Sequence, residues 1–111
     1  MDVRNRGSYE LEHRELVAEG RDLRVQVLTL AAGQRVPWHK HSEVTDSFVC
    51  LEGVTVVETR LPTQTVALEP GQRFAVGPGT AHMVQGRDGS RCKFMIIQGV
   101  GVYDFIPESG A

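Results

Sequence analysis

His39, Lys40 and His41 place two imidazoles two residues apart. On an extended strand, residues i and i+2 point to the same face, so both rings can aim at one point. Two neutral imidazoles one strand step apart make a metal clamp. A lone pair of this kind is more often two surface histidines, but this one has company. Gly33 permits the turn that leads into it, and Pro37 fixes the backbone just before it. Asp46 follows five residues after His41, on a segment whose same face carries Phe48 and Cys50. A carboxylate entering from a neighbouring strand could close a third corner of a site. His82 then opens another strand directly after the turn Gly77-Pro78-Gly79 and Thr80-Ala81. A histidine at a strand start is a ligand presented from a rigid scaffold.

The elements that must position these groups are strands. Twelve glycines and five prolines recur as punctuation between short apolar runs, the rhythm of a sandwich or barrel. The alternation predicts strands over 23–30, 47–51, 54–61, 65–68, 73–76, 82–85, 92–98 and 102–106, with the histidine pair on extended chain between the first two. Glu52-Gly53 and Gly86-Arg87-Asp88-Gly89 read as hairpin turns. The stretch from Tyr9 to Gly20 reads as an edge strand. No helical periodicity extends beyond about two turns. The expected organisation is an N-terminal arm or edge strand over 1–22, a barrel over 23–106 and a tail over 107–111.

The spacing Gly33, five residues, His39-Lys40-His41, four residues, Asp46, six residues, Gly53 resembles the first motif of the cupin superfamily. The spacing Gly71, five residues, Gly77-Pro78-Gly79, two residues, His82 resembles the second. Seventeen residues separate Gly53 from Gly71, which suits the short loop between the motifs of small microbial cupins. Two motifs in order with a fitting gap are a specific signal. The chain departs from the family pattern at Asp46, where glutamate is usual, at Gly77, where proline is usual, and at Gly86, where asparagine is frequent. The resemblance implies an all-β double-stranded β-helix, the jelly-roll cupin barrel. It also implies one divalent metal ion (Fe, Zn, Mn, Ni or Cu) held by His39, His41 and His82, with Asp46 as fourth ligand. A carboxylate one methylene short could instead bind a metal-bound water, hold a histidine in place, or act as a base. Glu43 is a rival carboxylate in the turn after His41, and ranks behind Asp46. His13 lies outside both motifs and is expected at the surface, as is Lys40 on the opposite strand parity. Phe48, Cys50, Phe74, Val84 and Phe94 are the expected pocket lining. Gln98 and Tyr103 could add polar groups at the barrel mouth.

Open coordination positions on such an ion let a small oxygenated organic substrate bind it directly. With iron the site resembles those of cupin dioxygenases, the leading class. Zinc, nickel or manganese would suit Lewis-acid isomerase, lyase or cyclase chemistry. The alternative is a non-catalytic cupin that binds or senses a sugar or metabolite, and a purely structural barrel ranks third. The formal net charge of -2 and the lack of a basic patch exclude nucleic acid as a natural partner. No window approaches the ~18 apolar residues of a membrane span. Residues 1–7 lack the apolar run of a signal peptide, which makes the cytoplasm the expected compartment. Cys50 and Cys92 sit in apolar runs and read as core thiols. Resemblance to small cupins, with strand edges and an apolar arm left to cover, points to a homodimer.

Overall fold

The computed structural model describes residues 9–109. Residues 1–8 of the expected N-terminal arm, and 110–111 of the expected tail, lie outside the described residues. Ten strands follow one another: β1 (His13–Glu19), β2 (Leu23–Leu30), β3 (Arg35–Lys40), β4 (Thr45–Glu52), β5 (Thr55–Thr59), β6 (Gln64–Leu68), β7 (Arg73–Val76), β8 (His82–Gly86), β9 (Cys92–Gly99) and β10 (Ile106–Pro107). They form two five-stranded sheets, ordered β1-β2-β9-β4-β7 and β10-β3-β8-β5-β6, with antiparallel pairing throughout. The fold is the double-stranded β-helix. The period-two pattern dictates it: β9 alternates buried and half-buried residue by residue, and β4 and β5 do the same over most of their length. One parity from each sheet fills the space between them.

The core holds Leu28, Leu30, Phe48, Cys50, Val57, Val84, Cys92 and Phe94, each at most 2% exposed. Full burial of side chains this large contributes roughly 1.5–3 kcal/mol apiece. The segment read as an edge strand is β1, which pairs with β2 through a bulge between Leu16 and Ala18.

Three expectations are corrected. Glu52-Gly53 is not a hairpin: β4 and β5 lie in different sheets, so this turn carries the chain across the barrel. Gly86–Gly89 is not a hairpin either, but a 3-10 turn at a corner between β8 and β9. Jelly-roll connections pass from sheet to sheet, and local turn chemistry does not register that. Both corners are tight. A Cβ at Gly53 would meet the Arg91 carbonyl oxygen at 2.6 Å, and one at Gly86 would meet that of Ser90 at 1.7 Å. No side chain fits at Gly86 in this chain without moving backbone. Finally, the strand expected over 102–106 shrinks to the two-residue pairing of β10 with β3. The residues before it are pinned by side chains instead of a ladder.

Candidate metal centre

Both sheets supply the centre. His39 on β3 stands directly opposite His82 on β8, and the backbone carries His41 in just past the end of β3. Asp46 enters from β4 of the other sheet. The Gly77–Gly79 turn is fastened to this corner, since Gly79 N–H donates to the His41 carbonyl at 2.8 Å. Ligand atoms of His39, His41, Asp46 and His82 all lie within 4.8 Å of one another. None of the four residues is more than 3% exposed.

Hydrogen bonding decides which ring nitrogens face inward. His39 Nδ1 is bonded to the Pro37 carbonyl at 2.8 Å, His82 Nδ1 to that of Thr80 at 2.9 Å, and His41 Nδ1 to that of Asp104. A carbonyl oxygen only accepts, so each Nδ1 carries a proton; a neutral ring then turns a bare Nε2 lone pair inward, and a ring with a second proton donates it to Asp46. All three Nε2 atoms surround Asp46 Oδ2, at 2.8 Å for His41 and His82 and 3.8 Å for His39. With all three rings neutral, four acceptors converge, which is repulsive unless a cation sits among them. A shared proton or a metal ion meets that need. The three-nitrogen, one-oxygen donor set fits a first-row divalent ion.

The local electrostatics agree. Burial alone would raise the Asp46 pKa, but hydrogen bonds from His39, His41 and His82 hold its carboxyl well below the usual range. Burial lowers the pKa of His41, and Asp46 and Asp104 together more than reverse this, so the net direction is up. For His39 burial wins and the pKa falls.

Asp46 is itself steered from behind. Gln98, opposite it on β9, donates from Nε2 to Asp46 Oδ1 at 3.1 Å, leaving Oδ2 to the histidines. Gln98 Oε1 accepts from Arg24 Nε at 3.3 Å and Gln26 Nε2 at 3.2 Å, which fixes the amide's orientation. Arg14 completes the chain by donating to Gln26 Oε1 at 2.6 Å.

Of the expected lining, Phe48, Val84 and Phe94 border the small cavity beside His39 and Asp46. Cys50 and Phe74 do not. Cys50 shares the inner parity of Phe48 but sits one step nearer the opposite end, with Sγ against the Gly53 carbonyl. Phe74 lies opposite Phe48 on the sheet-edge strand β7, half-buried at the rim. Tyr9, Gln26 and Phe105, which the motif pattern does not single out, also line the cavity. The signal for Gln26 was present: with Arg24 it holds the inner parity of β2, polar residues where Leu28 and Leu30 follow. Glu43 stays exposed and accepts from Val102 N–H at 3.1 Å, outside the cluster. His13 is exposed on β1. Trp38 faces outward under the Arg60 guanidinium, 3.9 Å from its ring centre.

Solved structures share this architecture. An uncharacterized conserved protein with a double-stranded β-helix domain from Klebsiella pneumoniae matches with a TM-score of 0.74 and 22% identity, covering 94% of this chain and 90% of its own. TT1209 from Thermus thermophilus matches at 0.71 and 21% identity, over 85% and 90%. A cupin-2 domain protein from Shewanella frigidimarina matches at 0.65 and 23% identity, over 79% and 80%. At these identities the likeness establishes the fold alone. No curated protein matches the chain. The family model described as Cupin domain matches residues 26–98, from Gln26 on β2 to Gln98 on β9, and so spans all four candidate ligands. The chain belongs to the cupin family.

Proposed function

We propose that this chain is a metal-dependent enzyme acting on a small oxygenated organic molecule, with dioxygenase chemistry as the leading class. The observation that carries the reading is the convergence of three Nε2 atoms and one carboxylate oxygen, all buried, inside the barrel. A bound divalent ion would supply polarisation of a substrate oxygen or, if redox-active, dioxygen chemistry. The chain's own contribution is to hold the donors, fix their tautomers and exclude water. Asp46 belongs in this reading to the donor set, since its Oδ2 lies 2.8 Å from Nε2 of both His41 and His82.

One observation favours a second reading, a non-catalytic binding or sensing cupin. The candidate ligands are at most 3% exposed, and closure of this kind is usual for a structural metal. Elemental analysis of metal-replete protein beside His82→Ala separates the outcomes. About one equivalent of iron, lost in the variant and accompanied by oxygen uptake with diketones, thiols or catechol-like compounds, supports the dioxygenase class. Bound zinc, nickel or manganese moves the reading to Lewis-acid chemistry. A tightly held metal with no turnover favours the binding module, and absence of metal from both proteins sinks the enzyme.

We further propose that the chain works as a homodimer, with β1 at the contact. It forms an edge of its sheet among the described residues and leaves Leu16 and Val17 half-exposed. A monomer in sizing experiments at micromolar concentration overturns this.

A further inference from the structure

The cavity beside the candidate ligands measures about 10 Å3, room for about one water molecule and for no organic substrate. A substrate site must therefore open, and the walls differ in what opening them requires. Most belong to β2, β3, β4, β8 and β9, each locked into a ladder. The exceptions are Tyr9, Tyr103 and Phe105. Tyr103 and Phe105 sit on segment 100–105, which joins no strand ladder among the described residues. Individual bonds hold it down. Gly101 N–H donates to the Asp22 carbonyl at 3.0 Å, Val102 N–H to the Glu43 carboxylate at 3.1 Å, and Ser42 N–H to the Asp104 carboxylate at 2.9 Å. The latches to Glu43 and from Ser42 are solvent-exposed, and the buried Tyr103 and Phe105 rings, with the Arg24 guanidinium 3.7 Å over the Tyr103 ring, hold the inner face, so lifting the segment exposes two rings but parts no ladder.

The shape left behind is specific. The Phe105 ring lies parallel to the His39 imidazole, 4.4 Å between centres and 10° between planes. Tyr9 stacks on Phe105 at 5.8 Å and 28°. When Phe105 leaves, a flat slot opens beside the donor set, walled by the imidazole of a candidate ligand. Closing the segment also restores the Asp104 carbonyl to His41 Nδ1, so closure and ligand orientation are one event.

We propose that segment 100–105 is the lid of the metal chamber with Phe105 as its plug, and that the substrate is a flat, unsaturated molecule with an oxygen donor that takes the place of the Phe105 ring. This rests on the metal-site reading above.

The test uses the full chain loaded with cobalt(II) and two chelating probes of similar size, benzohydroxamate and cyclohexanecarbohydroxamate, which differ in flatness. Binding is read from cobalt d–d absorption, and lid position from hydrogen exchange of the peptide covering 100–108. In the wild type, benzohydroxamate should speed exchange across that peptide. In Phe105→Ala, where no plug competes, its Kd should fall at least ~10-fold while the cyclohexyl probe gains less than ~3-fold. Ser42→Ala removes the hydroxyl that donates to Asp104 Oδ2 at 2.5 Å, which weakens that latch and keeps the plug, so it should tighten benzohydroxamate by a few-fold and serves if Phe105→Ala does not fold. Binding that leaves exchange over 100–108 unchanged overturns the lid. Equal gains for both probes overturn the flat slot. A cobalt spectrum that neither probe alters in any variant overturns the open-site reading itself, and the lid with it.

Discussion

Along β2 the inward side chains run Arg24, Gln26, Leu28, Leu30, and along β4 they run Asp46, Phe48, Cys50. On β9, read backwards, they run Gln98, Ile96, Phe94, Cys92. Each of these three strands thus passes from a polar end to an apolar end of the same interior. Burial is equal at the two ends: Asp46 and Cys50 are both 0% exposed, and Arg24 and Leu28 both 2%. The energetics are opposite. At the apolar end, dehydration itself stabilises the fold. At the polar end each buried group costs free energy unless it is hydrogen-bonded, which is why Arg14, Gln26, Arg24, Gln98 and Asp46 form one connected network. A barrel could fill that space with leucines and gain stability. An interior that keeps a charged network beside three histidines is arranged for a task other than holding the fold together.

If the two ends are divided in this way, substitutions should separate metal binding from stability. The largest effect belongs to His82→Ala at the polar end. It should abolish stoichiometric metal while the thermal midpoint of the metal-free protein changes little, read by elemental analysis beside a melting curve. Retention of metal by a folded His82→Ala would place the site elsewhere. Next comes Phe94→Ala at the apolar end, fully buried against Phe48. It should destabilise by about 3–5 kcal/mol in denaturant titration while each folded molecule still binds metal. Loss of metal from a folded Phe94→Ala would break the division. Gln98→Leu tests the seam between the ends. It removes the donor that aims Asp46 and should weaken metal affinity by about 10–100-fold, the effect expected of a group that orients a ligand. Unchanged affinity would reduce Gln98 to packing.

What was legible in the chain follows from the range of each interaction. Three candidate ligands lie within strands or at a strand start and His41 one residue past the end of β3, where two-residue parity and turn spacing fix direction, so local pattern reached them. The inner face of β9 was legible for the same reason. The two misread turns depend on which sheet the next strand joins, and that is decided by packing across the barrel, not by Glu52-Gly53 or Gly86–Gly89 themselves. The stretch 102–106 reads as a strand because its apolar and aromatic residues alternate as a strand's do, and the part before Ile106 is not one. Segment 100–105 is held by Glu43, Ser42 and Asp22, some sixty or eighty residues back, and contacts so distant leave no local signature. Asp46 shows the same limit from the other side. Its shortness is read from the sequence, but the bond that aims it comes from Gln98, on another strand.

The smallest effect sharpens the comparison at its finest scale, within three consecutive residues. His39 and His41 point into the polar end, and Lys40 between them points out, where its ammonium meets Glu108 at 3.3 Å with both side chains about a third exposed, at 38% and 30%. An exposed pair of this kind contributes about 0–1 kcal/mol, since solvent screens it and ordering two long side chains offsets the attraction. Lys40→Ala should therefore shift stability by no more than that and leave metal affinity unchanged, measured by denaturant titration and by competition with a chelator. Loss of metal affinity would mean that the pairing of β10 with β3, which Lys40 and Ile106 share, sets the ligand geometry. The inside and the outside of the clamp would then be mechanically coupled, and strand parity alone would not isolate the metal centre from the surface behind it.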